Sequence, residues 1–520
     1  MATSALAQLV TPRGAIDRPL FRQVETSYGV VQGIDAGPVT SFKGIPYGAP
    51  TSGPNRFMPP QKPQAWTGVR EAFAPGQSCP QLPADPRGDY GRTIYWDVNV
   101  GGYGEDCLTL NVWTPGTDPA AKRPVLVSFH GGGFATGAGT NVGYDGAELA
   151  MWGDVVVVTV THRLASFGYT YLAGVGAPEE FGSAGVAGLL DLVAALEWVQ
   201  TNIAAFGGDP SRVMIFGQSG GGAKTSAVLA MPPARGLFQR AAVQSGSMVR
   251  VATEEAGTRI AEKLLRELGL TAKNIREIQN VPWQQLLEAQ LRAGAMGFTP
   301  VLGTDALPRH PFDPQAPAES ADVPLIVSST LEDAALMLRR HDIDEQTLQA
   351  ALAERFGDRA EEIRALYRRA AGDKPPHLVL SQVFTDSGFR RGVHTQAERK
   401  AAQGGAPVWV YQWDWPTPAY DGKFGAIHGI DVAASFHAVR DTFFAGSRDG
   451  ALMADRLASV WVAFARDGDP NNDLLPHWPT YDADRRATMV FDTDTRVEDD
   501  PRGEIRAYWS QQPPAATPLG

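Results

Sequence analysis

Residues 217–225 read GQSGGGAKT, directly after the apolar run RVMIF and leading into the helix-compatible TSAVLAM. Two kinds of chemistry use a glycine-rich turn in that place. A phosphate-binding loop needs four residues between its glycines and then Gly-Lys-Ser/Thr unbroken, so that the lysine and the hydroxyl meet neighbouring phosphate oxygens. Gly217 and Gly222 have that spacing, but Ala223 stands between Gly222 and Lys224 and breaks the register. Lys224 is accordingly read as a solvated or partner-facing residue in the first turn of a helix. The other frame is G-x-S-x-G over residues 217–221, a sharp strand-to-helix turn that presents Ser219, with free N–H groups of the following helix available to an oxyanion.

A serine hydroxyl becomes a useful nucleophile only when a base takes its proton and fixed donors receive the charge that develops on the substrate oxygen. His130-Gly131-Gly132-Gly133-Phe134 closes the apolar run PVLVSF upstream of the serine, where an oxyanion loop of the HGGG kind belongs. Among the nine histidines, His428 in FGAIHGID stands in a small-residue loop after VWVYQWDW and late in the chain, the place that a serine, acid, histidine order gives the base. His437 is its nearest rival, in a segment compatible with helix. Cys79 and Cys107 form no CxxC and no Cys/His set spaced for a metal, and the chemistry requires neither metal nor cofactor.

Such groups must be held by a scaffold, and the chain supplies one. PVLVSF at 124–129, DVVVVTV at 154–160, RVMIF at 212–216 and VPLIV at 323–327 are short β-branched runs of the kind buried on both faces of a sheet. Helical patterns lie between them, most clearly at 186–206. This alternation predicts an α/β fold with a mostly parallel central sheet covered by helices on both faces. From about 251 to 400 charged helical patterns dominate and predict a helical insertion or lid within a single catalytic domain spanning 1–520. A chain of 520 residues with 43% hydrophobic and 20% charged residues has ample core. No run reaches a membrane span, and a net charge of −11 with no basic block disfavours nucleic acid as a partner.

The ordered segments FKGIPYGAP (42–50), RFMPP (56–60), EDCLTLNVWTP (105–115), HGGGF (130–134), HRLASFGY (162–169), AALEWVQTNIAAFGGDPSRVMIFGQSGGG (194–222), AAVQSGS (241–247) and AIHG (426–429) resemble the type-B carboxylesterase, or para-nitrobenzyl-esterase-like, family of the α/β-hydrolase fold. The resemblance implies Ser219 as nucleophile, His428 as base and the N–H groups of Gly132, Gly133 and Gly220 as oxyanion donors. It puts the acid at Glu332 in VPLIVSSTLEDAA, with Asp333 as the alternative because it replaces the glycine usual after that glutamate. Ser245 matches a serine close to the triad, Arg56 and Glu105 match a structural ion pair, and Cys79 and Cys107 match a disulfide at the mouth of the active-site gorge. The loop between those cysteines carries Tyr90, Tyr95, Trp96 and Tyr103, which either line the pocket, with Phe134, or pack the loop onto the body.

One departure from the family bears on substrate. Gln218 stands before the serine where the family usually has glutamate, which removes a negative charge near the histidine and favours neutral esters over cationic ones. Val186 and Leu192 replace an Asn and a Gln and are assigned to packing. The expected activity is hydrolysis of small neutral carboxylic esters through an acyl-enzyme. An amidase or carbamate hydrolase on the same residues is the alternative, and a catalytically silent binding or adhesion homologue is a further one. The N-terminus, without the basic start and apolar stretch of a leader, points to the cytoplasm; a Cys79–Cys107 disulfide and a missing upstream leader would point to the periplasm or secretion.

Overall fold

The computed structural model describes residues 19–35, 37–83, 88–94, 96, 100–294, 297–439 and 447–513. Its strands, in chain order, begin with β1 (Phe21–Thr26), β2 (Gly29–Asp35), β3 (Thr40–Pro46), β4 (Val69–Glu71) and β5 (Thr109–Thr114). The middle of the chain gives β6 (Arg123–Phe129), β7 (Val156–Val160), β8 (Gly208–Gln218) and β9 (Arg240–Gln244). The last are β10 (Leu325–Thr330), β11 (Val408–Trp413), β12 (Ala487–Phe491) and β13 (Arg496–Asp499). They form one 13-stranded sheet in the order β1-β2-β3-β5-β7-β6-β8-β9-β10-β11-β12-β13, with β4 beside β2.

From β7 to β12 every neighbouring pair is parallel, whereas β1 to β7 and β12 to β13 pair antiparallel. The parallel strands are the β-branched runs of the sequence, and β7 is buried at every position. Alternation along them divides the core in two. Val125, Val127, Val213 and Ile215 face the layer containing the helix Ala187–Asn202, while Leu126, Met214 and Phe216 face the layer containing the helix Arg448–Asp467. The apolar helical run Glu179–Phe206 is long enough to cross a membrane, but most of it is buried against the sheet as a core helix.

Helices follow β9 at Glu254–Glu267 and Trp283–Ala293, and follow β10 at Glu345–Phe356, Ala360–Ala371, Pro376–Thr385 and Arg391–Ala402. The later group gathers a separate small core around Leu352, Ile363, Tyr367 and Val383, closed by Ile505 and Trp509 of the C-terminal helix Gly503–Ser510. One topological feature fixes where chemistry belongs. β7 lies on one side of β6 and β8 on the other. Where strand order diverges in this way, a crevice opens at the carboxyl ends of the two strands. Residue 130 follows β6 and Ser219 follows β8, so both glycine motifs lie at the carboxyl ends of these two neighbouring strands.

The expected disulfide is not formed. Cys79 and Cys107 are both free thiols and both fully buried. They lie close enough for a thiol–thiol hydrogen bond, which together with burial pushes the Cys107 thiol well up. The Cys79 sulfur also accepts the N–H of Leu164 at 3.2 Å, so the pair packs as buried side chains in the core.

Candidate active site

Ser219 occupies the turn between β8 and the helix Gly220–Val228 with φ 58° and ψ −122°. A non-glycine residue held there stores about 1–3 kcal/mol of backbone strain, sustained only where the surroundings over-determine it. Here the Ser219 N–H donates to the Gln244 carbonyl at 2.7 Å, and its carbonyl accepts from Ala223 N at 2.9 Å. The neighbouring glycines are required by close approach. A methyl on Gly221 would lie 2.0 Å from the Phe129 carbonyl, and one on Gly220 would lie 2.4 Å from the Gly133 nitrogen. The start of the serine helix is therefore pressed against the loop after β6, which brings the peptides of residues 133 and 220 together.

In that loop Gly132 (φ 87°) and Gly133 (φ 60°) occupy left-handed backbone, and Thr136 N closes a turn onto the Gly132 carbonyl at 3.0 Å. The loop is anchored from below. Tyr144 Oη accepts the Gly131 N–H at 3.0 Å, and Lys224 Nζ donates to the His130 carbonyl at 2.9 Å. Lys224 is wholly buried, which corrects its reading as a solvated or partner-facing residue. Its helix sits inside the molecule rather than on it, and burial pushes the amine well below its ordinary range. His130 stacks on His162 with ring centroids 4.7 Å apart, and burial, with Lys224 adding, holds His130 far below the usual imidazole range. Neither ring has a role in proton transfer to the serine that its contacts support.

His428 lies in the turn before the helix Ile430–Ser435 and is 4% exposed. Its Nδ1 meets Asp333 Oδ1 at 2.7 Å. With the Nδ1 proton committed to a carboxylate, Nε2 carries the lone pair. Asp333 is itself fixed, its other oxygen accepting Thr330 N and Ser245 Oγ at 3.0 Å each. Ser245 is thus linked to His428 through that carboxylate. Gln218, immediately before the serine, packs against the residue after the histidine: a methyl on Gly429 would lie 3.6 Å from the Gln218 amide.

Glu332, expected as the acid, does not reach the imidazole. Its carboxylate accepts Lys374 Nζ at 2.6 Å, Gln382 Nε2 at 2.7 Å and Ala426 N at 2.9 Å. The Glu332 N–H donates to the Ala426 carbonyl, so this residue clips the histidine loop to the end of β10 by its main chain and its side chain alike. The residue that faces His428 is the one after it.

The remaining candidates separate cleanly. Phe134 is buried edge-on against Tyr169 at 5.2 Å, with Lys224 on its face at 5.9 Å. Trp96 is half-buried and edge-on to Tyr144 at 6.2 Å, whereas Tyr95 lies outside the described residues. Tyr90 Oη donates to the His428 carbonyl at 3.2 Å. His437 is engaged elsewhere, by Asp455 at 2.8 Å and by stacking on Trp152. Arg56 and Glu105 form a buried two-pronged ion pair at 2.7 and 2.6 Å. Val186 and Leu192 are fully buried packing residues.

Sequence reasoning missed three polar groups beneath the site. Tyr144 and Lys224 hold the glycine loop, and Asp431 binds Tyr411 Oη at 2.7 Å and Gln244 Nε2 at 2.9 Å under the serine turn. The one available signal was Lys224, a lone cation in the run GGGAKTSAVLAM with no acid to pair it. Among the described residues no cluster of histidine, cysteine and carboxylate side chains is arranged to hold a metal ion.

The model of the carboxylesterase family matches residues 21–509. A para-nitrobenzyl esterase of Bacillus subtilis is 35% identical over 509 residues, covering 93% of this chain and 97% of the relative. A carboxylesterase structure from Geobacillus stearothermophilus superposes with a TM-score of 0.81 at 35% identity, covering 94% of this chain and 99% of that one. An esterase from Clostridium hathewayi gives a TM-score of 0.80 at 31% identity, over 95% and 98% of the two chains. With its α/β-hydrolase fold, its motifs in family order and a match across nearly its whole length, the chain belongs to the carboxylesterase family and is a carboxylic ester hydrolase.

Proposed function

We propose that Ser219, His428 and Asp333 form the catalytic triad, and that they hydrolyse small neutral carboxylic esters through an acyl-enzyme. His428 Nε2 takes the Ser219 proton as Oγ attacks the carbonyl carbon. The peptide N–H groups of Gly132, Gly133 and Gly220 receive the oxyanion, and Asp333 holds the ring and balances the imidazolium. His428 then protonates the departing alcohol, and water repeats the sequence to release the acid. The observation that carries this reading is the 2.7 Å contact between His428 and a fully buried carboxylate, in a loop packed against the strained Ser219 turn. We read the helical stretch between about 251 and 400 as the lid region of one catalytic domain.

Ser219→Ala, checked for retained fold by circular dichroism, is expected to lower kcat on an aryl ester by about ten-thousandfold to a millionfold. Activity within tenfold of the parent would remove the mechanism. Matched aryl ester, anilide and carbamate substrates test the chemistry itself, with the ester expected to be fastest. Faster turnover of the anilide or the carbamate would transfer the assignment to that bond.

A further inference from the structure

The helix at Pro376–Thr385 continues into a π-helical turn, Asp386–Arg390, before the helix Arg391–Ala402. Turns of this kind occur disproportionately at functional positions. Phe389 lies against the His428 ring at a centroid distance of 5.2 Å, whereas Asp386 and Arg390 line a different cavity, of about 280 Å3, outside the site just described.

The charge on that cavity wall is unbalanced. Among the described residues, Arg390, Arg391, Arg399, Arg502 and Arg506 line it against two carboxylates, Asp386 and Glu398. The carboxylates are already committed. Asp386 is shared by Arg390 and Arg502, and Glu398 pairs with Arg486 from outside the cavity. Arg506 is neutralised by Asp500, while Arg399 shares Asp313 with Arg250. Arg391 donates to the backbone carbonyls of Gln512 and Pro513, neither of which cancels its charge.

Two donors also lack partners. Both ring nitrogens of His394 are buried without a hydrogen bond, as is Nε of Arg502. A neutral imidazole always carries one N–H, so at least one buried donor on His394 goes unused, at a cost that an acceptor in the cavity would remove. Burial, with Arg390 and Arg506 adding, lowers the His394 ring to about 4, so it stays neutral near pH 7. Ile505 and Trp509 supply the apolar part of the cavity wall.

We propose that this cavity is a binding site for a small organic carboxylate. The carboxylate engages Arg391, the Arg502 Nε and His394, and its apolar body lies along Trp509 and Ile505. Guanidinium groups recognise carboxylates by paired, charge-assisted hydrogen bonds, and the apolar wall selects an organic anion over a bare oxyanion.

Titration calorimetry of the full chain with benzoate, benzamide and inorganic phosphate tests the assignment. Benzoate is expected to bind saturably, with benzamide and phosphate at least tenfold weaker. Arg391→Gln should weaken benzoate tenfold or more, Arg391→Lys less so, and His394→Gln several-fold, each with its melting temperature recorded to confirm folding. Ester hydrolysis, followed on the same samples, should stay within twofold of the parent in all three variants. Benzoate binding that is absent, or that is unchanged by Arg391→Gln, would overturn the site. Phosphate binding as tight as benzoate would overturn the role given to Trp509 and Ile505.

Discussion

The carboxyl ends of β8 and β10 each lead into one residue of the proposed triad, positioned by different means. At the end of β8 the backbone does the positioning. Ser219 is forced into left-handed φ, and the glycines around it are needed because carbonyl and amide groups of the neighbouring loop pass within van der Waals contact. That constraint acts on residue type, so it leaves a pattern in the sequence. At the end of β10 two adjacent carboxylates, both buried, are sorted only by their distant partners. Glu332 is taken by Lys374, Gln382 and the 426 peptide, while Asp333 is taken by Thr330, Ser245 and His428. A site built from backbone geometry is local and can be read; a site built from side-chain choice is global and cannot.

Neutralising the two carboxylates separately distinguishes their roles. Asp333→Asn keeps the shape but cannot hold the imidazole tautomer or balance its charge, so kcat is expected to fall by about a thousandfold to ten-thousandfold. Glu332→Gln leaves His428 its partner and removes the charge that meets Lys374. Its expected cost is about 1–3 kcal/mol of stability, read as a lower melting temperature, with kcat changed by less than about tenfold. The reverse ordering in kcat would return the acid to Glu332.

The same distinction sets how much of the molecule was legible. The parallel strands read directly, because strands covered on both faces must be continuously apolar and β-branched, as β7 is. Ser219, His428 and the Gly132–Gly133 loop followed from spacing and chain order. The choice between Glu332 and Asp333 did not, since it depends on residues brought together only by the fold. Free cysteines could not be told from paired ones by their positions alone. Lys224 was misread because helix register was judged without knowing that its helix is interior.

Lys224 therefore offers a second test at the β8 end. Its amine is held well below its ordinary range by burial, so the unfolded chain binds the proton more readily and stability from this group rises with pH. Lys224→Met preserves the volume and removes the bond to the His130 carbonyl. Losing that anchor loosens the loop that carries Gly132 and Gly133, and kcat is expected to drop roughly fivefold to tenfold. Chemical denaturation between pH 7 and 10 should show a shallower rise in stability for the variant than for the parent. Unchanged kcat would reduce Lys224 to packing.

Asp431 lies near both regions, bonded to Gln244, whose carbonyl holds Ser219, and close enough to Asp333 to feel its charge. Burial, with the Asp333 charge adding, pushes its carboxyl up to about 6. The ordinary value is lower, about 3.9, so the folded chain holds this proton more tightly than the unfolded one. The resulting stability is fully present below the ordinary value and lost as pH rises through about 6. Asp414 is also raised to about 6 and acts in the same direction. Asp431→Asn should flatten, without abolishing, the decline in melting temperature between pH 4 and 7. A decline as steep as the parent's would mean that Asp431 titrates normally.

The smallest expected effect falls on the residue where the two strand ends come nearest each other in function. Gln218 is 7% exposed, its Nε2 is buried without a hydrogen bond, and its amide lies beside the peptide that follows His428. A carboxylate in that position adds a negative charge close to the imidazole, which favours its protonated form and draws cationic substrates. Gln218→Glu should therefore raise the kcat/KM of a choline ester relative to its uncharged isostere by about threefold to tenfold, while the isostere itself changes by no more than about threefold. The parent should favour the uncharged ester. If the parent already prefers the choline ester, charge at position 218 does not set selectivity. If Gln218→Glu leaves the ratio unchanged, the potential at the crevice is governed by the buried carboxylates at the β10 end instead.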